Sequence, residues 1–230
     1  MKDVLITDFS GSLEAEGFLS WLHEKGASVT HLDWTGLEGT SCYCDSAARE
    51  VISARLPGSL PVFRWIDTGD YHYMSHLLAL RETEPFHLVL LDHHPDNQEP
   101  AFGGVLSCGG WVKALREENP LVRDILTIGP EGCPQALPDG WAAERKGERV
   151  YISLDKDILS RSFARTDWSQ GEHTPAQVCG MLEALIGPMK LAAIDICGGI
   201  TPEKGATPED LRLNRETDIA LYQFLSGLYL

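Results

Sequence analysis

Phe86-His87-Leu88-Val89-Leu90-Leu91-Asp92-His93-His94-Pro95-Asp96 is the stretch whose reading decides the fold. Its first half is an almost unbroken apolar run of strand length, which suits a strand covered on both faces, as in a parallel sheet. The polarity then switches at once to carboxylates and imidazoles. In parallel sheets wound with crossover helices, ligands collect just beyond the carboxyl ends of the strands. The switch therefore marks Asp92, His94 and Asp96 as candidate site residues at such an end.

The same grammar recurs on either side. Val62 to Ile66 is strand-like and leads into Asp67-Thr68-Gly69-Asp70-Tyr71-His72. Val150 to Leu154 leads into Asp155-Lys156-Asp157. On an extended segment alternate residues point the same way, so D-x-H-x-D aims Asp92, His94 and Asp96 to one side. By the same rule Asp155 and Asp157 form a pair, with Lys156 facing away. Like charges held this close are costly unless protonated or neutralised, and a divalent cation neutralises them best. Asp92, Asp96, Asp155, Asp157, His72 and His94 offer more ligands than one ion needs, so two ions sharing carboxylates are expected. Mixed oxygen and nitrogen ligands suit Mn, Fe, Co, Ni or Zn better than Ca or Mg. His76 and His93 are read as structural residues, His93 also as able to orient a ligand.

Further out, strands and helices alternate. Strands are expected at Val4 to Ile6, Ser28 to Leu32, Ile125 to Ile128 and Leu191 to Ile196. Helices are expected at Ser12 to Lys25 with Ser12 as N-cap and Gly26 as stop, at Asp45 to Arg55, Tyr73 to Arg81 and Gly110 to Glu118. Thr174-Pro175 starts another, running to about Leu185, and Pro208 to Leu228 is mostly helical. This order predicts an α/β fold: a three-layer αβα domain over residues 1–230, with a central, mainly parallel sheet and helices on both faces. The Pro/Gly-rich stretch Gly129 to Gly140 reads as a long loop.

Composition narrows the partners. The 230-residue chain carries a net charge of −15, which repels a phosphate backbone and disfavours nucleic acid. No apolar run approaches the ~20 residues that span a bilayer, and Met1 to Ser10 lacks the apolar core of a signal peptide. A membrane partner is thus not expected, and the location is expected to be cytoplasmic. The six cysteines are scattered, which fits reduced thiols.

At these residues the chain resembles the arginase/ureohydrolase superfamily, closest to a compact arginase-like branch, and so an arginase/deacetylase-like fold is implied. LLDHHPD resembles the family's DAHxD segment, YISLDKD its S-x-D-x-D segment including Ser153, and TGDYHYMS its GGDHS segment with Tyr71 inserted. The resemblance runs from about Val62 to Ile196. It implies two manganese ions, one on His72, Asp92, Asp96 and Asp155, the other on His94, Asp92, Asp155 and Asp157. Asp92 and Asp155 would be bridges, and Asp96 would also accept a hydrogen bond from the hydroxide between the metals, a catalytic role. Homo-oligomers are common among such relatives.

The departures bear on substrate. The family's D-I-x-E is here Asp195-Ile196-Cys197-Gly198, with Gly where the guanidinium-holding Glu stands. The proton-shuttling His falls near Cys108, a candidate proton donor or rim thiol whose plainer reading is a small buried residue at a helix start. The Asp-Pro after S-x-D-x-D is Ser160-Arg161. Asp167, Gln170 and Glu172 are candidates for a substitute substrate-binding carboxylate or for plain loop polarity, with Asp167 and Glu172 the acidic ones. The function expected is a binuclear metal-dependent hydrolase attacking a C–N bond of a guanidino- or amide-type small molecule. The alternatives are a two-metal phosphoesterase of the Asp-His-His type, which would also use His93 as a ligand, and a non-catalytic metal-binding protein.

Overall fold

The computed structural model describes residues 3–100 and 104–228. Its strands are β1 (Val4–Asp8), β2 (Val29–Asp33), β3 (Tyr43–Cys44), β4 (Phe63–Ile66), β5 (Phe86–Leu91), β6 (Leu106–Ser107), β7 (Val122–Ile128), β8 (Arg149–Asp155) and β9 (Lys190–Cys197). Among the described residues, seven of them form one sheet in the order β2-β1-β4-β9-β8-β5-β7, and every pairing is parallel. β5 is buried along its whole length, as its apolar run requires, whereas the edge strands β2 and β7 are only partly covered.

Successive residues of a strand feed opposite faces, and the sheet has a hydrophobic core on each. Val4, Ile6, Val89 and Leu91 pack with the helices Phe18–Glu24, Pro175–Ile186 and Pro208–Leu228. Leu5, Leu88 and Leu90 pack on the other side with Ser46–Arg55, Met74–Ala79 and Trp111–Glu118. This is the expected three-layer αβα arrangement, with a sheet that is wholly rather than mainly parallel.

Local chemistry explains the helix boundaries. Asp45 caps the Ser46–Arg55 helix through Ala48 N–H, and Thr174 closes a capping box with Gln177. The single helix expected over Ser12 to Lys25 is instead two, Ser12–Ala15 and Phe18–Glu24, because Gly17 turns left-handed at φ 80°. Ser12 is not its cap. Its hydroxyl donates to Asp67 Oδ1 at 2.6 Å, and the Asp67 carboxylate also takes the backbone N–H groups of Phe9 and Ser10. Asp67 thus ties the end of β1 to the end of β4. The antiparallel ribbon of β3 and β6 was not foreseen, since two-residue strands carry no readable period. No helix among the described residues is long and apolar enough to cross a membrane.

After β2 and β4 the chain crosses to the far half of the sheet at β5, then returns through β8 and β9 to lie beside β4. The carboxyl ends of β4, β9, β8 and β5 are therefore adjacent, although their sequences are far apart.

Candidate metal centre

His72 follows a 3₁₀ turn after β4 and is fixed from behind. Its Nε2 lies 2.8 Å from Ser153 Oγ on β8, which is itself 3.1 Å from Ser75 Oγ. That leaves Nδ1 facing Asp96 Oδ2 at 2.9 Å, Asp92 Oδ2 at 3.3 Å and Asp155 Oδ2 at 3.4 Å. The Trp111 indole N–H donates to Asp96 Oδ2 at 2.8 Å, so Trp111 both fills the core and orients a carboxylate. The segment after β5 is bent rather than extended, and Asp96 has φ 44°. The three D-x-H-x-D side chains converge all the same, by backbone turning instead of strand alternation.

A second group lies alongside. His94 Nδ1 is 2.7 Å from Asp157 Oδ2 and 3.6 Å from Asp92 Oδ1. Backbone N–H groups hold the carboxylates: that of His94 donates to Asp92 Oδ1, that of His93 to Asp157 Oδ1, and that of Asp157 to Asp155 Oδ1. His72, Asp92 and Asp96 form one triad of potential ligand atoms lying within 4.8 Å of one another; Asp92, His94 and Asp157 form a second, and His72, Asp155 and Cys197 a third. Asp92 is common to the first two and His72 to the first and third.

With only protons to balance it, the cluster is electrostatically frustrated. Burial pushes Asp155 up to about 7, with the Asp92 charge adding to the effect. Burial also raises Asp157 well above the usual carboxylate range, helped by Asp155 and Asp92, and it raises Asp96. For Asp92 burial acts the same way, but hydrogen bonds with His72 and His94 outweigh it and the carboxyl is held low. Burial opposes the charged form of His72 too, yet its hydrogen bonds to Asp92 and Asp96 carry it well above its ordinary value. His94 is pushed up to about 10, chiefly by its hydrogen bond to Asp157. Asp92 Oδ2 is buried, and beyond the 3.3 Å approach of His72 Nδ1 no donor satisfies it. A buried orphan oxygen among carboxylates that must share protons is what a divalent cation would relieve, so these residues fit two such ions.

The cluster lines a cavity of about 210 Å³, together with Cys42, Tyr43, Gly69, Gln98, Ser107, Cys108, Gly109 and Trp168. Cys108 stands where the sequence placed it, buried at the cavity wall, and burial keeps its thiol protonated. Neither Asp167 nor Glu172 is a lining residue. Asp167 is ion-paired with Lys204, while Glu172 and His93 border a separate depression. The two acidic loop residues thus lie outside the lining of this cavity, Asp167 toward Lys204 and Glu172 toward the other depression. Trp168, between them, enters instead: its indole N–H donates to Asp70 Oδ1 at 3.1 Å and its ring meets His94 edge-on. Nothing in the sequence around Trp168 signals this. His93 belongs to none of the three ligand groups through its ring.

Two glycines permit the packing. A Cβ on Gly69 would stand 2.7 Å from Trp168 Cδ1. At Gly198, where φ is 98°, it would stand 2.4 Å from Asp155 Oδ1, so that position admits no side chain.

No protein-family model matches the chain. An uncharacterized protein of Thermotoga maritima is 26% identical over 207 residues, covering 86% of this chain and 80% of its own length. Among solved structures, the agmatine ureohydrolase of Thermoplasma volcanium superposes with a TM-score of 0.66 at 14% identity, over 99% of this chain and 90% of that one. The proclavaminate amidino hydrolase of Streptomyces clavuligerus gives 0.63 at 18% identity, over 97% and 92%. The formimidoylglutamase of Bacillus subtilis gives 0.61 at 13% identity, over 98% and 88%.

Proposed function

We propose that this chain, whose fold is that of the arginase/ureohydrolase superfamily, is a binuclear metal-dependent hydrolase cleaving a non-peptide C–N bond of a small molecule. The observation that carries the reading is the pair of ligand triads sharing Asp92 at the floor of one cavity. Asp92 would bridge, with Oδ1 toward His94 and Oδ2 toward His72, and Asp155 would be the second bridge. His72 and Asp96 would complete one site, His94 and Asp157 the other. Manganese is favoured by the resemblance to ureohydrolases.

When bound, two such ions supply Lewis-acid polarisation and make water a competent nucleophile near neutral pH. The protein's own groups do the rest. Ser153 and Trp111 lock His72 and Asp96, so little reorganisation is needed at the moment of reaction. Asp96, held by the Trp111 indole, would accept a hydrogen bond from the attacking water. A phosphoesterase of the Asp-His-His type would need the His93 ring as a ligand, and that ring points elsewhere.

Metal analysis after manganese reconstitution tests the reading on wild type, Asp92→Ala and Asp155→Ala, with circular dichroism to confirm folding. Two ions per chain, both lost in each variant, are expected. One ion or none in the wild type overturns the binuclear site. A turnover screen of guanidino compounds, amides and phosphodiesters follows, and hydrolysis of phosphodiesters alone would overturn the bond class.

A further inference from the structure

Binding two divalent cations would spend the charge of Asp92, Asp96, Asp155 and Asp157, and what then remains of the cavity wall is neutral. The other side chains lining it are Cys42, Tyr43, Gln98, Ser107, Cys108 and Trp168. None of these residue types is charged at neutral pH at its ordinary pKa.

Asp70 receives the Trp168 indole N–H at 3.1 Å and the Lys204 ammonium at 2.5 Å. Asp167 is paired with the same lysine. Glu172 opens onto the separate depression beside His93, and position 198 has no room for any side chain. The arrangement is symmetrical in its consequence. Outside the metal cluster a cationic ligand finds no carboxylate among the lining residues, and an anionic one finds no ammonium there.

Burying an ion without a partner costs several kcal/mol, whereas an uncharged amide needs only hydrogen bonds. Gln98 and Ser107 supply those in both senses, with a carboxamide that donates and accepts and a hydroxyl that does the same. Trp168 adds a flat apolar wall. A volume of about 210 Å³ limits the occupant to a small molecule.

We propose that this cavity selects a small uncharged carboxamide or ureide over a guanidinium, with Gln98 and Ser107 as specificity-determining residues. The inference rests on the hydrolase reading for its chemistry, but its test reads binding alone. The manganese-reconstituted full chain is titrated calorimetrically with n-butylurea and with n-butylguanidinium, which match in shape and differ in charge. The urea is expected to bind at least tenfold tighter. Gln98→Glu places a carboxylate in the neutral wall and should reverse the preference, and Ser107→Ala should weaken the urea several-fold. Equal binding, tighter binding of the guanidinium, or no binding of either probe overturns the proposal. So does a Gln98→Glu variant whose preference is unchanged. A wild type with two ions that prefers guanidinium sinks only this inference. A wild type with one ion or none sinks the binuclear reading, and with carboxylates then uncompensated it sinks this inference as well.

Discussion

Asp92 is the residue on which both metal positions depend, and the surroundings show what that demands. Each neighbouring carboxylate is held by a backbone N–H or an indole, so the ligands are positioned before any ion arrives. Gly198 belongs to the same construction although it offers no ligand. Substituting it by alanine forces a Cβ to within 2.4 Å of Asp155 Oδ1 from a left-handed backbone. Gly198→Ala should cost roughly 1–3 kcal/mol in urea unfolding and should lower the bound metal below two ions per chain. A full metal complement in that variant would show that Asp155 can move aside freely. Asp92, His94, Asp96, Asp155 and Asp157 were picked out in the sequence by their spacing after apolar strands, whereas His72 rested partly on family resemblance. Ser153, Trp111 and Trp168 take roles in the site through contacts that no local spacing encodes.

At the scale of elements, Lys156 shows how a site strand is tied to its covering helix. It sits between two candidate ligands yet points the other way, as the alternation expected, and its ammonium lies 2.7 Å from Asp218 on the helix Pro208–Leu228. Asp218 also accepts the Trp65 indole N–H at 3.0 Å, and nearby Glu16 is pushed up to about 8 by burial. Lys156→Met leaves the Asp218 charge buried without its partner, and the expected loss is ~3–5 kcal/mol in chemical denaturation. Adding Asp218→Leu should recover most of it, since replacing both members of a buried pair with apolar groups is often near neutral. A double variant as unstable as the single one would mean that the pair matters for packing rather than for charge. The partner helix lies some sixty residues downstream of Lys156, too far for any sequence pattern to couple them.

For the whole molecule, the net charge of −15 and the buried carboxylate cluster act in the same direction. The overall field attracts divalent cations, and the cluster exchanges protons for them. The sign follows from the shifts. Asp155 holds a proton up to about pH 7 and His94 up to about pH 10, and His72 and Asp157 are raised as well, so an incoming ion displaces several protons, with that of Asp155 added below about pH 7. Apparent metal affinity should therefore rise with pH, by about tenfold per unit for each proton displaced, and most steeply below pH 7. Calorimetry in buffers of differing ionisation enthalpy measures the protons released. An affinity that is flat from pH 6 to 8 would refute the exchange.

By itself the sequence determined the class of fold, the strands that carry the site and the identity of its candidate ligands. These follow from local rules: apolar runs of strand length bury themselves, and charged residues at their ends must be neutralised. Only the tertiary structure decided that β4, β9, β8 and β5 stand side by side, which brings His72 to Asp92 and Asp155. It also decided that Lys204 consumes Asp167 and that Trp168 rather than a carboxylate walls the cavity. Strand order and loop docking depend on packing between residues far apart in the chain, and such packing leaves no period in the sequence to read.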